Sequence, residues 1–174
     1  PCAGHASGCC RTALRLLRDD VNKCIEKARG AKAVGDGRES EVFLHIPKEH
    51  KTLYDAVKCY IGGDTFLVAP KDTNGVDNMQ FLLQTSRVTL CDTAEEVVVE
   101  CPEFNLKASE TTPPPTSTTT PTTTATGITV GTRRSTSRKC ERCWYYSDAV
   151  GADRDHAQTC PRCASAVKRD GHVL

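Results

Sequence analysis

The chain has 174 residues, room for one ordinary domain of about 100 to 150 residues and a smaller appendage. With 38% hydrophobic residues, 5% aromatics and a formal net charge of +1, it is neither a basic nucleic-acid tail nor an acidic solvating one. No run of about 18 apolar residues occurs, so no membrane span is expected, and the stretch from Pro1 to Arg11 lacks the charged and apolar regions of an export signal. Pro1 in place of an initiator methionine, with helical periodicity starting at once, leads us to expect a C-terminal piece of a longer chain.

From Thr12 to Arg29 the apolar positions Leu14, Leu17, Val21, Ile25 and Ala28 recur at steps of three and four, which predicts a helix with one buried face. Gly30 ends it where a C-terminal glycine is favoured. Glu41 to Ile46 is short, β-prone and stopped by Pro47, and reads as a strand. Leu53 to Tyr60 predicts a second helix closed by Gly62 and Gly63, and Thr65 to Ala69 an extended piece before Pro70. Helical spacing returns through Val76, Met79 and Leu83, followed by alternation in Thr85 to Cys91 and a last predicted strand, Glu96 to Cys101, ending at Pro102. Residues 12–108 therefore read as a small α+β domain.

Between Thr111 and Thr126 the chain is almost all Thr and Pro, without an aromatic or charged residue. Such a segment has too little apolar area to offset its ordering entropy, so residues 109–132 are expected to be a disordered linker. The alternative, a mucin-like glycosylated stalk, requires secretion.

Residues 133–170 form the third unit. Of eleven cysteines, seven are scattered (Cys2, Cys9, Cys10, Cys24, Cys59, Cys91, Cys101), and four form two Cys-x-x-Cys pairs, Cys140/Cys143 and Cys160/Cys163. Two thiolates three residues apart fit one tight turn, and two such turns meet at one tetrahedral zinc with Zn–S distances of about 2.3 Å. Four thiolates close the coordination shell, so one structural Zn2+ is expected, supplying folding free energy to a module with little core of its own. Disulfides or redox pairs compete, but a redox Cys-x-x-Cys belongs beside a βαβ pattern that the sequence does not display. The scattered cysteines read as buried small hydrophobes or incidental surface thiols. His156 could replace a thiolate, yet with four regular cysteines it is expected at the surface, and Trp144 is expected to form the minimal core beneath the metal, with stacking on a base as its alternative.

Charge becomes informative once the chain is split. Residues 128–174 hold nine Lys and Arg against five acids, +4, whereas residues 1–127 carry −3. Four zinc-bound thiolates lower the tail to about +2. The basic residues cluster at Arg133, Arg134, Arg138, Lys139 and Arg142, where they could meet phosphates, and Tyr145 and Tyr146 could stack on bases.

Lys139-Cys-Glu-Arg-Cys-Trp144, then Val150-Gly151, His156 and Cys160-Pro-Arg-Cys163, looks like the zinc finger that ends bacterial-type isoleucyl-tRNA synthetases. Upstream, Leu17-Arg-Asp-Asp-Val-Asn-Lys-Cys-Ile-Glu-Lys-Ala-Arg29, Lys32, Val34-Gly35 and the strand near Glu41 to Leu44 are similar to the segment after that family's anticodon-binding bundle, as is Asn74-Gly75-Val76-Asp77 through Leu82 to Val88. The resemblance spans Leu14 to Val167 except the Thr/Pro run. It implies a part that helps hold tRNA-Ile near its anticodon side for ATP-dependent aminoacylation by a catalytic domain whose signatures are absent here. It implies partners in tRNA-Ile and the remainder of a synthetase chain. The implied zinc ligands are Cys140, Cys143, Cys160 and Cys163, and the candidate RNA contacts are Arg138, Lys139, Arg142, Arg162, Tyr145 and Tyr146. A cyanobacterial or plastid flavour implies a chloroplast or mitochondrion, with cytoplasm as the alternative.

Two other readings compete. A stand-alone, non-enzymatic RNA-binding or assembly module could derive from such a tail. A formamidopyrimidine-type DNA glycosylase also ends in a four-cysteine finger and uses an N-terminal proline, but Cys2 to Ser7 lacks the acidic motif that should follow, and Trp144 stands where that finger usually has glycine.

Overall fold

The computed structural model describes residues 8–61, 78–107 and 127–169. The long amphipathic helix α1, Gly8–Gly30, buries Leu17, Val21, Cys24, Ile25 and Ala28 on one face, as the periodicity predicts. Strand β1, Ser40–His45, follows after a short 3-10 turn, Gly37–Glu39, capped by the Asp36 side chain. Helices α2, Lys51–Ile61, and α3, Asn78–Leu83, lead to β2, Arg87–Leu90, which lies parallel to β1. That βαβ crossover was not evident in the sequence, because its two strands are only four to six residues long.

Residues 94–100 depart from expectation. The Val97–Val98–Val99 run suggests a strand, but Ala94–Glu100 is helix α4. Thr93 accepts a hydrogen bond from the Glu96 amide while the Glu96 carboxylate accepts from the Thr93 amide. This reciprocal cap satisfies two otherwise orphaned donors and outweighs the β preference of three valines. Strand β3, Asn105–Lys107, follows.

The predicted linker span also changes at its end. Within 109–132, residues 109–126 lie outside the described residues, as does the predicted extended piece at 65–69. Thr129–Arg134, however, is strand β4, and it sits inside the sheet, whose order is β2-β1-β4-β3. It pairs antiparallel with β1 over six residues and antiparallel with β3, where Lys107 faces Thr129. The Thr/Pro run therefore lies in sequence between two adjacent antiparallel strands of one sheet, and does not separate the α+β unit from the finger. Val130, buried at 0%, and the preceding Ile128 are the apolar signals that residues 127–132 belong to a core.

One face of the sheet carries the main core: Val42, Leu44, Val88 and Val130 against Leu17, Val21, Ile25, Leu53, Val57, Met79 and Leu83 from the three helices. The other face carries a smaller cluster, Phe43, Cys91, Val97 and Cys101, under α4. Gly131 admits that helix: a Cβ there would lie 2.7 Å from Val97 Cγ1 and 2.8 Å from Cys101 Cβ. No described helix is long and apolar enough to cross a membrane.

Gly131→Ala should push α4 off the sheet and cost about 1–3 kcal/mol, seen as a lower urea midpoint at unchanged m-value. Replacing residues 109–126 by a four-residue Gly/Ser turn should retain both the zinc content and the cooperative unfolding transition. Loss of either would mean the run does more than link the two strands.

Candidate metal centre and basic face

The finger begins directly from β4. Ser135 donates its amide to the Glu39 carbonyl and its hydroxyl to Glu41, 2.9 Å away, so the chain leaves the sheet tied to β1. Glu41 is 2% exposed, and its other carboxylate oxygen accepts from Arg133 Nε and Nη2, each at 3.2 Å. Arg133 also bonds Glu100 and stacks over Phe43, its carbon Cζ 4.7 Å from the ring centroid. A buried carboxylate needs such a partner, and Arg133 is thereby committed to the sheet.

Strands β5, Arg138–Lys139, and β6, Tyr146–Ser147, form a small hairpin around the first cysteine pair. The second pair straddles the start of helix α5, Pro161–Arg169, with proline in the first helical position, where a missing amide hydrogen costs nothing. Cys140, Cys143, Cys160 and Cys163 place their sulfurs within 4.8 Å of one another. A tetrahedron with Zn–S of about 2.3 Å has S···S edges of about 3.8 Å, and Cys143 and Cys160 are 3.8 Å apart. The Cys160 amide donates to Cys140 Sγ at 3.3 Å, a contact that supports a thiolate. The residues present therefore fit one tetrahedral structural zinc, with all four coordination positions filled by sulfur.

The thiols are electrostatically uneven. The contact between Cys143 and Cys160 pulls the Cys143 thiol down and pushes that of Cys160 up. Burial pushes Cys24 and Cys91 up to about 11 and Cys101 up to about 12, so these three are inert thiols packed in the cores. The side chains of Cys2, Cys9, Cys10 and Cys59 lie outside the described ones.

Two expectations fail around the metal centre. His156 is buried at 8%, not at the surface, and its carbonyl accepts both the amide and the hydroxyl of Thr159. It is not one of the clustered ligands. Trp144 is 53% exposed and forms no core; the buried residue beside the cysteines is Val150. Trp144 also has φ +66°, a left-handed conformation just after the knuckle turn, which costs a non-glycine residue about 1–2 kcal/mol.

The candidate RNA contacts fall into two groups. Lys139 and Arg142 are exposed, with Lys139 Nζ 5.9 Å from the Trp144 ring centroid. Arg138 is exposed too and donates to the Val150 carbonyl at 3.3 Å. Tyr145, Tyr146 and Arg162 instead reach the α+β unit: Tyr145 packs on Phe81 with centroids 5.5 Å apart, Arg162 stacks over Phe81 at 4.9 Å, and the Tyr146 amide donates to Ser86 Oγ at 2.7 Å. Asp148 completes this joint, pairing with Arg87 and accepting from Ser137 at 2.6 Å, and both contacts hold its carboxyl below the usual range. Sequence reasoning missed Arg38, whose Cζ lies 5.2 Å from the Trp144 ring centroid. Its position over a residue 106 places later had no local sequence signal.

The site thus defines a four-cysteine zinc finger docked on a small α+β unit. Residues 137–166 match the family described as a zinc finger found in FPG and IleRS. Over nearly its whole length the chain is also similar to isoleucine–tRNA ligases: 29% identical to that of Haemophilus influenzae (strain PittEE) over 90% of this chain and 13% of the relative. The ligase of Psychromonas ingrahamii is 28% identical over 92% of this chain and 13% of its own length, and that of Thermosynechococcus vestitus 30% identical over 89% and 13%. The chain spans about an eighth of the length of these curated relatives. It is homologous to a segment of isoleucine–tRNA ligases, consistent with their C-terminal zinc-finger region.

Zinc analysis of reduced protein should return one equivalent per chain. Cys140→Ser should abolish stoichiometric binding while Cys91→Ala leaves it at one, and chelation should unfold residues 138–169 while α1 and the sheet persist by amide exchange. Equal metal content in both variants would refute the assignment.

Proposed function

We propose that this segment is the tRNA-docking tail of an isoleucine–tRNA ligase, supplying affinity and orientation to a catalytic region elsewhere in such a chain. The reading is supported most by Trp144, a large aromatic held in a strained backbone conformation and left 53% exposed beside the cationic side chains of Arg38 and Lys139. Exposed, rigid aromatics of this kind offer a stacking surface for an unpaired base, and cations beside them meet the adjacent phosphates. Lys139, Arg142 and Arg138 are the proposed phosphate contacts. Tyr145, Tyr146 and Arg162 act beneath them, holding the finger to α3 and the turn before β2.

Titrating the zinc-loaded chain with tRNA-Ile and with a non-cognate tRNA, before and after chelation, tests this. Binding should require zinc, favour tRNA-Ile, and weaken with salt at a log–log slope of roughly −2 to −3 for three phosphate contacts. Trp144→Gly removes the strain with the aromatic, so zinc should be held at least as firmly while tRNA affinity falls. Equal weak binding in all four titrations would overturn the reading.

A further inference from the structure

Arg38 and Trp144 belong to different units, yet their side chains form one cation–aromatic pair. Among the contacts that join the two units, the one nearest this pair is a buried hydroxyl. Ser86 is 4% exposed and uses every polar group it has, each on a different element. Its amide donates to the Ser40 carbonyl at the start of β1 at 2.9 Å, and its carbonyl accepts from the Gln80 side chain on α3 at 2.7 Å. Its hydroxyl donates to the Arg38 carbonyl and accepts the Tyr146 amide at 2.7 Å. The hydroxyl therefore spans from the turn that carries Arg38 to the hairpin strand two residues beyond Trp144. Asp36 fixes the outer end of Arg38, accepting from Nε at 3.0 Å and from Nη2, while Nη1 has no hydrogen-bond partner among the described residues.

We propose that Ser86 is a positioning residue that locks the finger to the α+β unit, and that Arg38, so placed, is an RNA-contacting residue forming with Trp144 a composite site that neither unit has alone. This rests on the tRNA-docking reading. The ligand is a single-stranded stretch of RNA: a base on the indole, and the neighbouring phosphate on the unpaired edge of the guanidinium. Hydrogen bonds from an arginine held by a carboxylate are directional, so Arg38 contributes orientation as well as charge.

Trp144 is the sole tryptophan of the chain, so its fluorescence reports the pair directly. In the zinc-loaded 174-residue chain, Arg38→Ala should shift the emission and weaken tRNA-Ile binding about three- to fivefold, the range of a partly exposed cation–aromatic contact. Ser86→Ala should reproduce both changes at unchanged zinc content, the double variant should add little, and Ser86→Thr, which keeps the hydroxyl, should restore them. Arg38 sits on a surface turn, so its variant tests the pair even where Ser86→Ala fails to fold. Emission unchanged in Arg38→Ala and Ser86→Ala overturns the proposal. Emission that shifts while tRNA affinity holds in both overturns the RNA role of Arg38. Affinity that holds in Trp144→Gly as well places the failure in the docking reading itself.

Discussion

The pairing of β1 with β4 is the constraint on which the rest of the molecule depends. Six residues from each strand are registered, Ser40 with Arg134 through His45 with Thr129, and the partners come from opposite sides of the Thr/Pro run. Bringing them together closes a long loop, and 21 residues lie between Lys107 and Thr129, where β3 meets β4. Closure costs roughly 3 kcal/mol and rises by only about 0.6 kcal/mol for each doubling of length. A sheet that buries Val42, Leu44 and Val130 fully on its helix face can carry that cost. The insertion is thus placed where chain length is thermodynamically inexpensive, and the finger emerges from a fixed strand.

Local patterns were legible wherever the physics is local. The face of α1 could be read from its periodicity because one helix buries it against one core. The metal ligands could be read because tetrahedral thiolate geometry demands paired turns. Helix α4 could have been read from the Thr93-x-x-Glu96 cap, but the valine run pointed the other way, and valine propensity is the weaker term once two terminal donors are satisfied. Strand β4 follows a low-complexity run, and its partner lies about ninety residues away, so no window of sequence contains both strands. Trp144 and His156 exchanged their expected places for the same reason. Val150 supplies the finger's small core, and the α+β unit supplies a wall for Tyr145 that the finger alone does not have.

Charge counted along the chain differs from charge offered to a partner. Arg133 belongs to the basic cluster by sequence, but Glu41 and Glu100 take its guanidinium into the sheet. Lys168 is held by Asp153 and Asp155 at 2.6 and 3.3 Å. The basic face that remains is narrower than the count suggests and lies around the first knuckle, with Lys139 and Arg142 exposed on it. Pairing Arg133 and Lys168 inside the molecule leaves Lys139 and Arg142 as exposed cations near the indole. That placement favours a local contact over diffuse attraction to any polyanion.

The strain at Trp144 gives the metal a second role. The backbone has a positive φ at this position, and glycine would meet it without cost. Tryptophan meets it at about 1–2 kcal/mol, a large fraction of what a module with a three-residue buried cluster, Cys140, Val150 and Cys163, could spare. Zinc–thiolate binding in such modules contributes on the order of 10 kcal/mol of folding free energy. With that reserve, the turn can hold a half-exposed aromatic, where burial offsets only part of the cost. The coordination sphere takes no part in chemistry, yet it is what lets the first knuckle present a side chain that the finger's own core does not use.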